Sequence, residues 1–170
     1  MQTITIKTTI DASIEKCFDL SRSIDLHLQS MRNSNEKAIG GKQSGLIELN
    51  EFVTWKAKHF GVYFKMTNKI TVLEYPHLFI DEMINGPFAK LKHQHKYKSI
   101  GLKTEMIDVF EFNAPFGIFG RLAERLFLKK YLEKLLIKRN KIIKLEAEKP
   151  QQFRPLILET YHHLDWSLAK

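Results

Sequence analysis

The stretch Lys90–Phe112, KLKHQHKYKSIGLKTEMIDVFEF, decides the fold. Lys90, Lys92, Gln94, Lys96 and Lys98 must face water, so Leu91, His93, His95 and Tyr97 face inward. Ile100-Gly101 reads as a two-residue hairpin turn. Lys103–Phe112 then runs back with Thr104, Met106, Asp108, Phe110 and Phe112 on one face. Two such strands joined by a tight turn define an antiparallel sheet with one wet face and one buried face.

The same period extends upstream. Phe52–Phe60 puts Val53, Trp55, Ala57 and His59 on one face and Lys56 and Lys58 on the other. Val62–Leu73 sets Phe64, Met66, Ile70 and Val72 opposite Tyr63, Lys65, Lys69 and Thr71. Leu78–Asn85 is a further strand, ended by Gly86-Pro87. At the start of the chain, Gln2–Ile10 sides Ile4, Ile6 and Ile10 against Lys7. Asp11 and Ser13 are candidate helix caps, followed by Ile14, Cys17 and Phe18 at helical spacing. Ser21–Met31 reads as a second short helix capped by Ser23. Cys17 is therefore a small buried hydrophobe rather than a nucleophile.

After Pro115-Phe116-Gly117 the period becomes helical. Phe119, Leu122, Leu126, Leu132, Leu135, Leu136, Ile142 and Ile143 form one wide apolar stripe without a sustained heptad. The order is thus a strand, two short helices, a run of about six strands and one long helix. That order predicts an α+β fold and excludes the alternating βα arrangement of dinucleotide-binding proteins. The expected division is one domain over 1–149 and a C-terminal extension over 150–170.

The chain has 170 residues, a formal net charge of +8 and one cysteine. One cysteine excludes a disulfide framework and a paired Cys-x-x-Cys zinc site. Met1–Ile10 lacks the apolar run of a signal peptide, and no window reaches the roughly 20 apolar residues of a membrane span. A cytoplasmic location is the expectation. Gly40 and Gly45 have a phosphate-loop spacing, but Leu46 stands where that loop needs lysine. The charge is concentrated: Arg121–Lys149 carries ten basic residues against four acidic. Lys130, Lys134, Lys138 and Lys141 align along one helix side, either as a solvated face or as the working surface of a peripheral regulatory protein with weak contact to an anionic membrane. No nucleic-acid module accompanies them.

The order of elements resembles the START-like helix-grip superfamily of polyketide cyclases, pollen allergens and lipid-transfer domains. Val53-Thr54-Trp55-Lys56-Ala57-Lys58-His59-Phe60-Gly61 is similar to a strand signature of a bacterial, cyclase-like or cell-division-inhibitor-like branch. So are Gly86-Pro87-Phe88, His93-x-His95-x-Tyr97, and Asp108 leading to Ala114-Pro115-Phe116-Gly117. The match covers roughly residues 2–148. Asn50 stands where a turn glycine is expected, and Met83 where the branch often has glutamine. The resemblance implies a curved sheet of about seven strands gripping the C-terminal helix, with a cavity between them for an apolar or amphipathic ligand.

The inward faces carry His59, His93, His95 and Asp108, with Trp55 among them. An unpaired buried polar group costs on the order of 1–3 kcal/mol, so the set needs an explanation. With the turn at Ile100-Gly101, His93 lies directly across from Asp108. A hairpin over Gly86–Ala89 puts Glu82 on its other side, and a slip of one residue would replace Glu82 by Asp81 and Met83. Three readings follow. The set is a structural brace; or it orients a ligand held by walls of Trp55, Phe64, Met66, Met83 and Phe110 with His59, His93, His95 and Asp108; or His93 with Asp108 or Glu82 is the acid/base pair of a cyclase or dehydratase. His93 and His95 share a strand face, but a metal needs three or four converging ligands. The sequence assigns neither metal nor cofactor.

Overall fold

The computed structural model describes residues 1–114 and 127–150. The stripe positions Phe119, Leu122 and Leu126, the Pro115-Phe116-Gly117 motif and nearly all of the proposed extension lie outside the described residues. Seven strands account for the segments of period two: β1 (Gln2–Ile10), β2 (Lys37–Gly41), β3 (Phe52–His59), β4 (Val62–Glu74), β5 (Leu78–Asn85), β6 (Lys90–Ile100) and β7 (Lys103–Asn113). Two short helices, α1 (Ile14–Ser21) and α2 (Ile24–Ser30), follow β1, and a single 3-10 turn covers Arg32–Ser34. The last described element is the long helix α3, Lys129–Ala147. The strands form one antiparallel sheet in the order β1-β7-β6-β5-β4-β3-β2, so the first strand closes against the last.

Local chemistry sets the boundaries. The Ser13 hydroxyl accepts the Lys16 N–H at 3.4 Å to start α1, and the Ser23 hydroxyl accepts the Leu26 N–H at 3.2 Å to start α2. Asn50 takes φ +66°, a left-handed conformation that asparagine tolerates better than most residues, which explains its presence at an expected glycine position. The β6–β7 turn differs from expectation: Ile100 pairs with Lys103, so the turn residues are Gly101-Leu102. Gly101 has φ +59°, as the first position of a tight hairpin turn requires.

Register shifts between Thr67 and Asn68 and between Ile70 and Val72 bend β4 sharply. The second shift also exchanges faces. Leu73, paired with Phe79, packs on the core, while Val72 pairs with Ile80 on the opposite face, contrary to simple alternation. The bent sheet wraps α3, whose buried residues are Leu136, Arg139, Asn140, Ile143 and Ala147. Ile143 and Ala147 pack in a cluster with Cys17, Phe18, Tyr97 and Met106. Leu136 belongs to a second cluster with Ile4, Leu91, Phe110 and Phe112. Full burial of a side chain such as Phe18 or Ile143 contributes about 1.5–3 kcal/mol. The C-terminal end of α3 is also tied by polar contacts: Lys144 Nζ donates to Thr9 O at 2.6 Å, and Glu148 Oε1 accepts the Asp11 N–H at 2.9 Å.

Candidate functional site

Toward its N-terminal end α3 stands away from the sheet, and a cavity of about 380 Å³ opens between them. That volume lies within the range of small-molecule sites. Trp55, Phe64, Met66 and Phe110 line it from the strands, and Leu132, Leu135 and Leu136 from α3. His59, His93 and His95 also reach it. Met83 does not line it, and packs instead beside Met66 against the second apolar cluster. At the far end of β3, His59 Nδ1 lies 2.7 Å from the Tyr131 hydroxyl of α3, and the Phe60 ring packs on Tyr131. His27 of α2 stacks on Trp55 with ring centroids 4.3 Å apart, and its Nε2 lies 3.0 Å from Glu36. Burial lowers the pKa of His59.

The polar floor of the cavity is built across four strands and the helix. Asp81 pairs with His93, so Glu82 is displaced: it pairs with Lys92, at 3.9 Å, on the opposite face. Glu82 is therefore not the partner of His93 that a hairpin over Gly86–Ala89 implies. The slip is a single residue, and a period of two converts it into an exchange of faces. Asp108 likewise pairs with His95 rather than His93, because moving the turn to Gly101-Leu102 shifts β7 by two residues and keeps the face. His93 still reaches Asp108 diagonally, with Nε2 at 3.0 Å from Oδ1.

Asp108 is fully buried and lies behind the floor, outside the cavity lining. Asn140 Nδ2 donates to its Oδ2 at 2.6 Å, and Arg139 Nη1 approaches Oδ1 at 3.4 Å while Nη2 donates to Ser21 O at 2.8 Å. Asp81 faces the cavity. Its Oδ1 accepts from Asn68 Nδ2 at 2.7 Å, and its Oδ2 lies 3.0 Å from His95 Nε2 and 3.7 Å from His93 Nδ1. His95 Nδ1 lies 2.9 Å from Asp108 Oδ1 but off the line of a hydrogen bond.

Electrostatics follow from these contacts. Burial alone would raise the Asp81 carboxyl, but the hydrogen bond from His95, the charges of both histidines and Asn68 bring it down to about 2. Burial would likewise raise Asp108, yet His93 and His95 hold it well below the usual carboxylate range. Burial, reinforced by the neighbouring His95, lowers His93 to about 4 against the opposing pull of Asp108. At neutral pH the floor thus holds two carboxylates, the Arg139 guanidinium and a neutral His93. Asp108 is occupied by its partners behind the floor, whereas Asp81, His93 and His95 line the cavity.

Arg139, Asn140, Asn68 and Asp81 carry this arrangement, and of the four only Asp81, the one-residue alternative to Glu82 beside His93, stands out in the sequence. Arg139 is easily counted with the surface lysines around it. Its signal is its spacing: three after Leu136 and four before Ile143, it sits on the apolar stripe, where a charge must be paired. Lys130, Lys134 and Lys141 are exposed and Lys138 half-buried, on the helix face away from the sheet.

This architecture is the START-like helix-grip fold. Solved structures with the same architecture include the Zhui aromatase/cyclase of a Streptomyces species, with a TM-score of 0.69 at 10% identity over 86% of this chain and 93% of that one. A protein of Thermus thermophilus matches at a TM-score of 0.67 and 15% identity, covering 86% and 99% of the two chains. A START superfamily protein of Mycobacterium smegmatis matches at 0.65 and 11%, covering 86% and 97%. No protein-family model and no curated protein matches the sequence. Among the described residues no helix is long and apolar enough to cross a membrane, which leaves strand-built spans unaddressed.

Proposed function

We propose that this chain is a cytoplasmic protein that binds a small apolar or amphipathic ligand between sheet and helix. The observation that carries the reading is the cavity itself: about 380 Å³, walled largely by aromatic and aliphatic side chains, with Asp81, His93 and His95 gathered at its floor. Apolar walls supply affinity, and a few convergent polar groups fix orientation. An acyl, aromatic or polyketide-like body would lie against Trp55, Phe64, Met66 and Phe110, with a hydroxyl, carbonyl or carboxylate directed at His93, His95 and Asp81. Asp108 serves the ligand indirectly by holding His93 and lying against His95.

The likeness to an aromatase/cyclase supports a second reading, in which His93 acts as a general base in a cyclisation or dehydration. The contact of His93 with Asp108 favours it, since a carboxylate fixes the tautomer of its partner imidazole. A weak contact of Lys130, Lys134 and Lys138 with anionic membrane would supplement either reading and would vanish in moderate salt.

Uptake of an apolar fluorescent probe, with native mass spectrometry of the freshly purified chain, tests the main reading. Leu135→Trp, which fills the cavity from α3, should reduce uptake at least about tenfold while leaving the thermal midpoint within a few degrees. Uptake unchanged by that substitution would place the probe elsewhere and reject the reading. Turnover of a polyketone substrate that is abolished by His93→Gln, with probe uptake retained, would select the enzyme.

A further inference from the structure

We propose that Asp81, His93 and His95 form a binding site for one divalent first-row metal ion of the zinc type, with an open coordination position directed into the cavity. One donor atom of each residue lies within 4.8 Å of the other two. Asp81 Oδ2 is 3.0 Å from His95 Nε2 and 3.7 Å from His93 Nδ1. A tetrahedral ion with bonds of about 2.0–2.1 Å sets neighbouring donors about 3.3 Å apart, a value those two distances bracket. Two imidazoles and one carboxylate are a common donor set for catalytic zinc, which keeps its fourth position for water or substrate.

The groups behind the donors support the assignment. A metal-ligating histidine turns its second nitrogen to a carboxylate or carbonyl that fixes its orientation. Here His93 Nε2 does so at 3.0 Å from Asp108 Oδ1, and His95 Nδ1 lies 2.9 Å from the same oxygen, though off the line of a hydrogen bond. Asn140 and Arg139 hold that carboxylate from α3, and Asn68 holds the far oxygen of Asp81. His93 and Asp81 are thus fixed from behind.

The third argument is a shortage of positive charge. His95 is 2% exposed, and each of its ring nitrogens lies within about 3 Å of a carboxylate oxygen. A neutral imidazole has a single N–H. Whichever nitrogen carries it, the other presents its lone pair to a carboxylate with no solvent between them. A cation in front of His95 Nε2 removes the conflict, since the ring proton can then sit on Nδ1, the nitrogen nearer Asp108. Among the described residues Arg139 meets Asp108 at 3.4 Å while no lysine or arginine pairs with Asp81, so a divalent ion would supply the cation that this carboxylate lacks.

Such an ion gives the floor Lewis-acid character and selects ligands with a carboxylate, hydroxamate or enolisable carbonyl oxygen. That ligand class rests on the cavity-binding reading, whereas the metal itself does not. The full chain, stripped with chelator and dialysed, is titrated with Zn²⁺ against a chromophoric chelator and separately with Co²⁺. One equivalent should bind, with visible cobalt bands of four- or five-coordinate type. Asp81→Asn and His95→Gln should each weaken Zn²⁺ about 100-fold or more, while Glu82→Gln, on the opposite sheet face, leaves it unchanged. Zinc-edge X-ray absorption of the wild-type chain needs no variant to fold and should show two imidazole ligands. Failure to compete for Zn²⁺ at micromolar levels, affinity unaltered in folded variants, or an all-oxygen shell would each reject the metal. Uptake of an apolar probe by the metal-free chain would still stand or fall separately.

Discussion

The two halves of α3 do different work. From Ile143 to Ala147 the helix is packed into a dry cluster and pinned by Lys144 and Glu148 to the first strand and the loop after it. From Tyr131 to Leu136 it covers a cavity, with Leu132 and Leu136 packed at the second apolar cluster. Arg139 and Asn140 mark the boundary, and both reach down to one carboxylate. The difference shows how a small domain keeps a void without losing its fold: one half of the lid is anchored, and the other is left free to be shaped.

The contrast breaks most completely at that boundary. Asp108→Ala would leave His93, Arg139 and Asn140 without their shared acceptor and His95 without its neighbouring carboxylate. A destabilisation of about 3–5 kcal/mol in urea unfolding is the expected result. A loss below about 1 kcal/mol would mean that the two halves do not depend on the carboxylate. Ile143→Ala comes next, with an expected cost of about 2–5 kcal/mol, because it opens a new void in close packing. Leu135→Ala only enlarges an existing void and should cost about 1 kcal/mol or less. Equal costs for these two truncations would erase the distinction between anchored and covering halves.

The smallest effect lies at the mouth. Burial keeps His59 neutral below the ordinary histidine range, beside Tyr131. As pH falls below about 6.5 the unfolded chain takes up the proton first, so this contribution is present above that pH and lost beneath it. A small drop in thermal midpoint between pH 8 and pH 5 should therefore be larger in the wild type than in His59→Gln. Identical pH slopes would show that the mouth contact has no such role.

Which residues face inward is largely legible in the sequence, because a strand's period of two leaves little choice when lysines alternate with apolar groups, as in Lys90–Ser99. Register is not legible to the same degree. The β5–β6 connection allows more than one pairing, and the choice between Glu82 and Asp81 turns on one residue. The bulge beside Thr71 is equally hidden, since nothing in Ile70-Thr71-Val72-Leu73 announces that Leu73 turns inward. Arg139 escapes notice for another reason: tallying charge along the segment conceals its place on the apolar stripe. The histidines and Asp108 can be named from the chain, whereas the way Asp108 serves both imidazoles is a product of three-dimensional register.

The sharing of Asp108 has a consequence for how such a pocket can change. Four side chains from two elements depend on one carboxylate, so single replacements on the floor strand a partner and combinations will be strongly non-additive. Trp55, Phe64, Met66 and Leu135 have no such obligations. Ligand preference can drift, or be redesigned, one wall residue at a time, while the floor is inherited or replaced as a block.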